Sequence, residues 1–175
     1  MRKITNQELG RLSIEEFKGS AKFPLVVVTD NVRSLNNIGS IFRTCDAFAI
    51  KKLYLCGISA TPPNKEIHKT AIGAEFSVDW CYKENVMEAI SELKALNYNI
   101  VSIELVANSI MLYVFIIVED QRYAIILGNE VQGVSQEAVD ASDMAIEIPQ
   151  YGTKHSLNVS VAAGVVLWHF VKQRG

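Results

Sequence analysis

Cysteine is scarce in this sequence, with Cys45, Cys56 and Cys81 the whole set among 175 residues. Their odd number and lack of metal-ligand spacing exclude a disulfide-stapled scaffold and a cysteine zinc site, and fit reduced, partly buried thiols. No basic stretch followed by an apolar one opens the chain, so no secretory leader is expected. The longest apolar run, Ile110 to Val118, is less than half of the roughly 20 residues a bilayer span needs. A soluble, cytoplasmic protein without a membrane partner is the expectation. Positive charge is not in excess either, since 17 Lys and Arg against 19 Asp and Glu leave a net charge of −2. A protein that grips nucleic acid by bulk attraction to phosphates would show the opposite balance. Basic surface must therefore be local, built from the arm (Arg2, Lys3, Arg11, Lys18, Lys22) or from loop and helix-end residues such as Arg33, Arg43, Lys65, Lys69 and Lys154.

Apolar residues are abundant, at 49% of the chain, which suffices for one substantial core. The simplest division is a short helical arm over residues 1–22 and one domain over residues 23–175. In the arm, Thr5 with Glu8 and Ser13 with Glu16 have capping-box spacing, which predicts two short helices. Strands near residues 25–30, 52–56, 77–82, 99–103, 123–127 and 144–148 then alternate with helices near 37–48, 64–70, 85–96, 135–142 and 157–172. That alternation predicts an α/β fold with a mostly parallel sheet flanked by helices. From Leu157 to Val171 the apolar residues fall on every face, so this helix should be buried all round, in the core or against a second subunit. The run 110–118 lies where a polar connection is more usual. It reads equally as an extra buried strand, part of a subunit contact, or an exposed aggregation-prone stretch.

Three junctions carry candidate chemistry. In the first, the apolar strand Leu25–Thr29 runs into Asp30-Asn31-Val32-Arg33-Ser34-Leu35-Asn36-Asn37 and then a helix. Ile38, Ile41, Phe42, Cys45 and Ala49 form the buried face of that helix, and Arg43 projects away from it with Ser40 and Ala47. The second is Ile125-Ile126-Leu127-Gly128-Asn129-Glu130-Val131-Gln132-Gly133-Val134-Ser135, a strand, a glycine-rich turn and a helix start with Ser135 as cap. Gly128 and Gly133 have phosphate-loop spacing, but Val134 stands where that loop needs lysine, and G-x-G-x-x-G occurs nowhere. Glu130 would repel phosphate and suits a hydroxyl, an amine or a cationic group. In the third junction, Pro149 and Gly152 break a strand pattern and Ser156 is placed to cap the last helix, so polar side chains and free amides converge there.

Taken in order, these runs resemble the motifs of the SpoU-type RNA ribose 2'-O-methyltransferases, of the SPOUT or alpha/beta-knot class. The N-x-x-x-x-x-R motif matches Asn37 and Arg43, the G-x-E-x-x-G turn matches Gly128, Glu130 and Gly133, and S-L-N-V-S-V-A matches Ser156 through Ala162. The resemblance extends from about Leu25 to Trp168. It implies a C-terminal trefoil knot whose loops hold S-adenosyl-L-methionine without a metal. Leu127, Gly128, Gly133, Ile148, Gln150, Ser156 and Leu157 would be the cofactor contacts. It further implies methyl transfer to a ribose 2'-hydroxyl of tRNA or rRNA, with Arg43 on the reacting nucleotide and Asn37, Glu130, Ser156 and Asn158 supporting the site. A homodimer completing the site from the partner chain is also implied. A guanidinium does not give up its proton in a protein, so Arg43 reads as a phosphate clamp and charge stabiliser and not as a literal base. His155, a residue type able to accept a proton, lies outside the matched positions and reads as a surface residue. The other readings of the chain are a non-catalytic RNA-binding dimer of the same fold and a SPOUT enzyme that methylates a base.

Overall fold

The computed structural model describes residues 1–5 and 7–174. Among them, β1 (Phe23–Asp30), β2 (Ile50–Cys56), β3 (Trp80–Lys83), β4 (Tyr98–Ile103), β5 (Ile110–Met111), β6 (Arg122–Leu127) and β7 (Met144–Glu147) form one sheet in the order β3-β2-β1-β6-β4-β7-β5. Every pairing is parallel. Parallel strands need both faces covered, and the strand alternation shows how this is met. Leu25, Val27, Ile125 and Leu127 point into one core, packed by α2 (Leu35–Ala47), α3 (Lys65–Ala71), α4 (Ala74–Ser77) and α7 (Val159–Val171). Val26, Val28, Ala124 and Ile126 point into the other, packed by α5 (Val86–Ala95) and α6 (Gln136–Ala141). Cys45 and Cys56 are buried and free, and burial pushes both thiols up, Cys56 to about 12, so they are inert packing groups.

The strand order reverses beside β1, where Thr29 of β1 stands in register with Leu127 of β6. A parallel sheet leaves a crevice at the carboxyl ends of its strands at such a point. The first two junctions described above both leave the sheet there.

Several elements depart from expectation for local reasons. The strand expected from residue 77 begins at Trp80, because Gly73, with φ +91°, starts the short α4 over Ala74–Ser77. The helix expected from Leu157 begins at Val159, and its cap is Asn158 instead of Ser156. Ser135 does precede α6, but its hydroxyl makes no capping bond. In the arm, the Ser13–Glu16 capping box is complete on α1 (Ile14–Gly19), whereas Thr5 and Glu8 close only a 3₁₀ turn over Gln7–Leu9.

The apolar run 110–118 is neither a buried strand nor a wholly exposed one. Ile110–Met111 pairs with the edge of β7, and a 3₁₀ turn over Leu112–Val114 then drives Leu112 and Phe115 into the core. Phe115 packs edge-on to Tyr123 at 5.9 Å and lies 5.3 Å from Phe170, and its carbonyl is hydrogen-bonded to His169 Nε2 at 2.8 Å. Tyr113, Val114 and Ile116 face outward. Nor is α7 buried all round: Ala163, Val166, Leu167 and Phe170 face the core, while Val161 and Trp168 are 53% and 56% exposed and Val165 and Leu157 are exposed beside them.

Candidate active site

Next to the point where the strand order reverses, on the β6 side, a cleft of about 980 Å³ lies between the carboxyl ends of β4, β6 and β7 and the loop that leads into α7. Ile103, Leu127, Ile146 and Ile148 supply apolar wall, and the loop from Gln150 to Asn158 is exposed along its whole length. The seven residues expected to touch a cofactor, Leu127, Gly128, Gly133, Ile148, Gln150, Ser156 and Leu157, all line this one cleft, together with Glu130 and Asn158. The amides of Ser156 and Leu157 find no partner within the described chain, so they stand free for a ligand.

The glycine turn forms because two backbone segments pass closer than a side chain permits. Asn129 and Gly133 exchange both of their amide hydrogen bonds, each at 2.9 Å. A Cβ on Gly128 would strike the Gly133–Val134 peptide, and Gly133, with φ +71°, occupies the left-handed region with the Glu104 carboxylate where its own Cβ would be. Carboxylates then tie the turn to neighbouring strands. Val134 N–H donates to Glu104 Oε2 at 2.8 Å, Ser135 N–H donates to the buried Asp30 at 2.8 Å, and Asn129 Nδ2 donates to the Asn31 carbonyl at 2.7 Å.

Glu130 joins the second junction to the first. Its carboxylate accepts the Arg33 and Ser34 amides and Asn37 Nδ2, each at 2.9 Å. Asn37 Oδ1 in turn accepts Asn158 Nδ2 at 3.1 Å, and Asn158 Oδ1 accepts the Ser160 amide at 2.9 Å at the start of α7. An ionised carboxylate can only accept, so Glu130 sets the orientation of both asparagine amides. Asn158 and not Ser156 is the cap, and its amide serves both contacts at once, accepting from the helix through Oδ1 and donating to Asn37 through Nδ2. Ser156 is left exposed on the cleft wall. Sequence reading offered Glu130 to a ligand; within the described chain both its oxygens are engaged in this clamp. Partial burial opposes ionisation of Glu130, but the Arg33, Asn37 and Ser34 donors outweigh it and hold the carboxyl below its ordinary 4.5. Because the folded value is depressed, the clamp's contribution is complete above the ordinary range and fades as pH falls through the folded value. Thermal melts between pH 7 and 3 should show a loss of stability on the acid side that is reduced in Glu130→Gln.

Arg43 lies elsewhere. Six residues along a helix place it roughly 120° around α2 from Asn37, exposed in a shallow groove with Ser40, Thr44, Phe48, Lys69 and Gly164. The structure thus brings Asn37, Glu130 and Asn158 together and keeps Arg43 apart from them within one chain. Sequence reasoning missed the roles of Asp30, Asn129 and Glu104. Asp30 and Asn129 sit inside the quoted junctions, but nothing marks Glu104 except its place just past the end of β4.

Comparison with known proteins is consistent with this geometry. The SpoU rRNA Methylase family model matches residues 24–168. A tRNA (guanosine(18)-2'-O)-methyltransferase of Aquifex aeolicus is 36% identical over 154 residues, which is 86% of this chain and 70% of that protein. The crystal structure of an A. aeolicus TrmH/SpoU tRNA modifying enzyme superposes with a TM-score of 0.80 at 30% identity, covering 92% of this chain and 82% of that one. An AdoMet-bound rRNA methyltransferase from Sinorhizobium meliloti gives a TM-score of 0.80 at 25% identity over 89% of this chain, which spans 59% of that protein. With its motifs joined around one cleft and the family model matched across nearly all of the sheet and α7, the chain belongs to the SpoU rRNA methylase family.

Proposed function

We propose that the chain transfers a methyl group from S-adenosyl-L-methionine to a ribose 2'-hydroxyl of tRNA or rRNA. The carrying observation is the hydrogen-bonded chain Glu130–Asn37–Asn158, which fastens all three junctions at the cleft. The cleft fits the cofactor: its apolar walls suit a nucleoside face, the free Ser156 and Leu157 amides suit ring nitrogens or oxygens, and the volume is within the range of a small-molecule site. When bound, S-adenosyl-L-methionine supplies an electrophilic methyl group. The chain's own part is positioning. Leu127 and Ile148 exclude water from one side, the Gly128–Gly133 turn keeps backbone close to the ligand, and Glu130 with Asn37 holds the α7 end steady. Arg43 binds the phosphate beside the reacting ribose through its two-pronged guanidinium and offsets charge as the hydroxyl loses its proton. The reaction as proposed uses no metal, takes place in the cytoplasm, and rests on the knotted form of this fold.

Two features support a homodimer. Leu157, Val161, Val165 and Trp168 leave an apolar stripe on α7, extended by Phe48, whose ring lies 6.0 Å from that of Trp168. The Arg43 groove borders this stripe through Phe48 and Gly164, so pairing along α7 carries Arg43 toward the partner's cleft and resolves its separation from Asn37. Light scattering at micromolar concentration should give twice the 19.4 kDa chain mass, and Trp168→Glu should give the monomer; a monomeric wild type would defeat this assembly. For the reaction itself, calorimetry must show binding of S-adenosyl-L-methionine. Nucleoside analysis of RNA from cells lacking the gene must show one ribose-methylated nucleoside missing, whereas loss of a base-methylated one would overturn the ribose assignment.

A further inference from the structure

Three carboxylates line the cleft, those of Glu104, Glu130 and Glu147. Two are spent on the protein itself. Glu104 accepts the Leu105 and Val134 amides at 3.0 and 2.8 Å, and Glu130 accepts its three donors. Glu147 differs: its Oε2 is shielded from solvent and has no hydrogen-bond partner among the described residues, and no ion pair joins it to Lys154 or His155 of the facing loop. It sits at the last position of β7, opposite Met111 of the edge strand, so its backbone is fixed by the sheet. A shielded carboxylate oxygen without a donor is costly and uncommon, and on a residue that lines a ligand cleft it is explained by a donor that arrives with the ligand as the side chain turns toward it.

We propose that Glu147 receives the α-ammonium group of the methionine part of the cofactor. This assignment rests on the cofactor reading above and specifies which end of the molecule meets β7. The missing partner is a hydrogen, and a sulfonium sulfur carries none. The ammonium offers three N–H donors and a full charge, and a charge-assisted contact in a partly apolar cleft is about twice as strong as a neutral one. Ribose hydroxyls and the adenine amine are neutral donors, for which the backbone carbonyls of the loop 150–158 are sufficient partners.

The test is calorimetry of the full chain and of Glu147→Gln with S-adenosyl-L-methionine, S-adenosyl-homocysteine and 5'-methylthioadenosine, which keeps the adenosine and lacks the amino acid. Glu147→Gln preserves shape, and a melting curve checks its folding. Affinity for the first two ligands should fall about tenfold, while that for methylthioadenosine should stay within about twofold. Equal weakening of all three would assign Glu147 to adenosine, and unchanged binding of all three would show that it meets no ligand; either overturns the proposal. A wild-type chain that binds none of the ligands would instead defeat the methyltransferase reading itself.

Discussion

Replacing Arg43 with alanine should lower methyl transfer by about 10²-fold or more, the scale for loss of one charge-stabilising group, and leave cofactor affinity unchanged. The side chain is exposed and lies outside the cleft of its own chain, and alanine is the best helix former, so α2 should fold as before. Arg43→Lys should recover little, because an ammonium keeps the charge and loses the forked pair of hydrogen bonds. Single-turnover rates with RNA, measured beside calorimetry with S-adenosyl-L-methionine, separate the two effects. A lysine variant near the wild-type rate would show that charge alone suffices. An alanine variant that lost cofactor affinity would place Arg43 on the cofactor and not on the RNA.

Gly128→Ala should be as damaging by the opposite route, through the cofactor. The added methyl group meets backbone and not a side chain that could rotate away, so the Asn129–Gly133 pair must open. The expected cost is about 1–3 kcal/mol of stability, typical of overpacking, with cofactor binding weakened more than tenfold because Leu127 and Gly133 shift together. Thermal melting and calorimetry on the same samples check both numbers. A variant with normal stability and normal affinity would mean that the turn relaxes freely.

Much of this was legible in the chain. The buried strands β1 and β6 announce themselves as unbroken apolar runs, and the spacing of Asn37, Gly128, Glu130 and Asn158 pointed to one family and one site. The cap of α7 was not legible, because Ser156 and Asn158 have similar capping preference and the choice depends on Asn37, 121 positions away. The run 110–118 misled for a related reason: its composition is uniform, and only the packing of Tyr123 and Phe170 selects Phe115 for the core. Short-range pattern finds elements, whereas the partners of Glu104 and Asp30, 30 and 105 positions distant, are set by the assembled sheet. Arg43 is the intermediate case, since its angle around α2 follows from spacing but the groove it occupies does not.

The two sides of the cleft differ in stiffness. One side is the turn after β6, laced to three other segments by Asp30, Glu104 and Glu130. The other is the loop 150–158, exposed throughout and tied to the rest of the described residues by side-chain hydrogen bonds only at Asn158, which meets Asn37 and the start of α7. Ligand capture is therefore a matter of freezing one wall against another that is already set, and its thermodynamic signature follows: favourable heat from new contacts, opposed by the entropy of ordering that loop. Proline substitutions that stiffen the loop in its bound shape would tighten binding and slow product departure together.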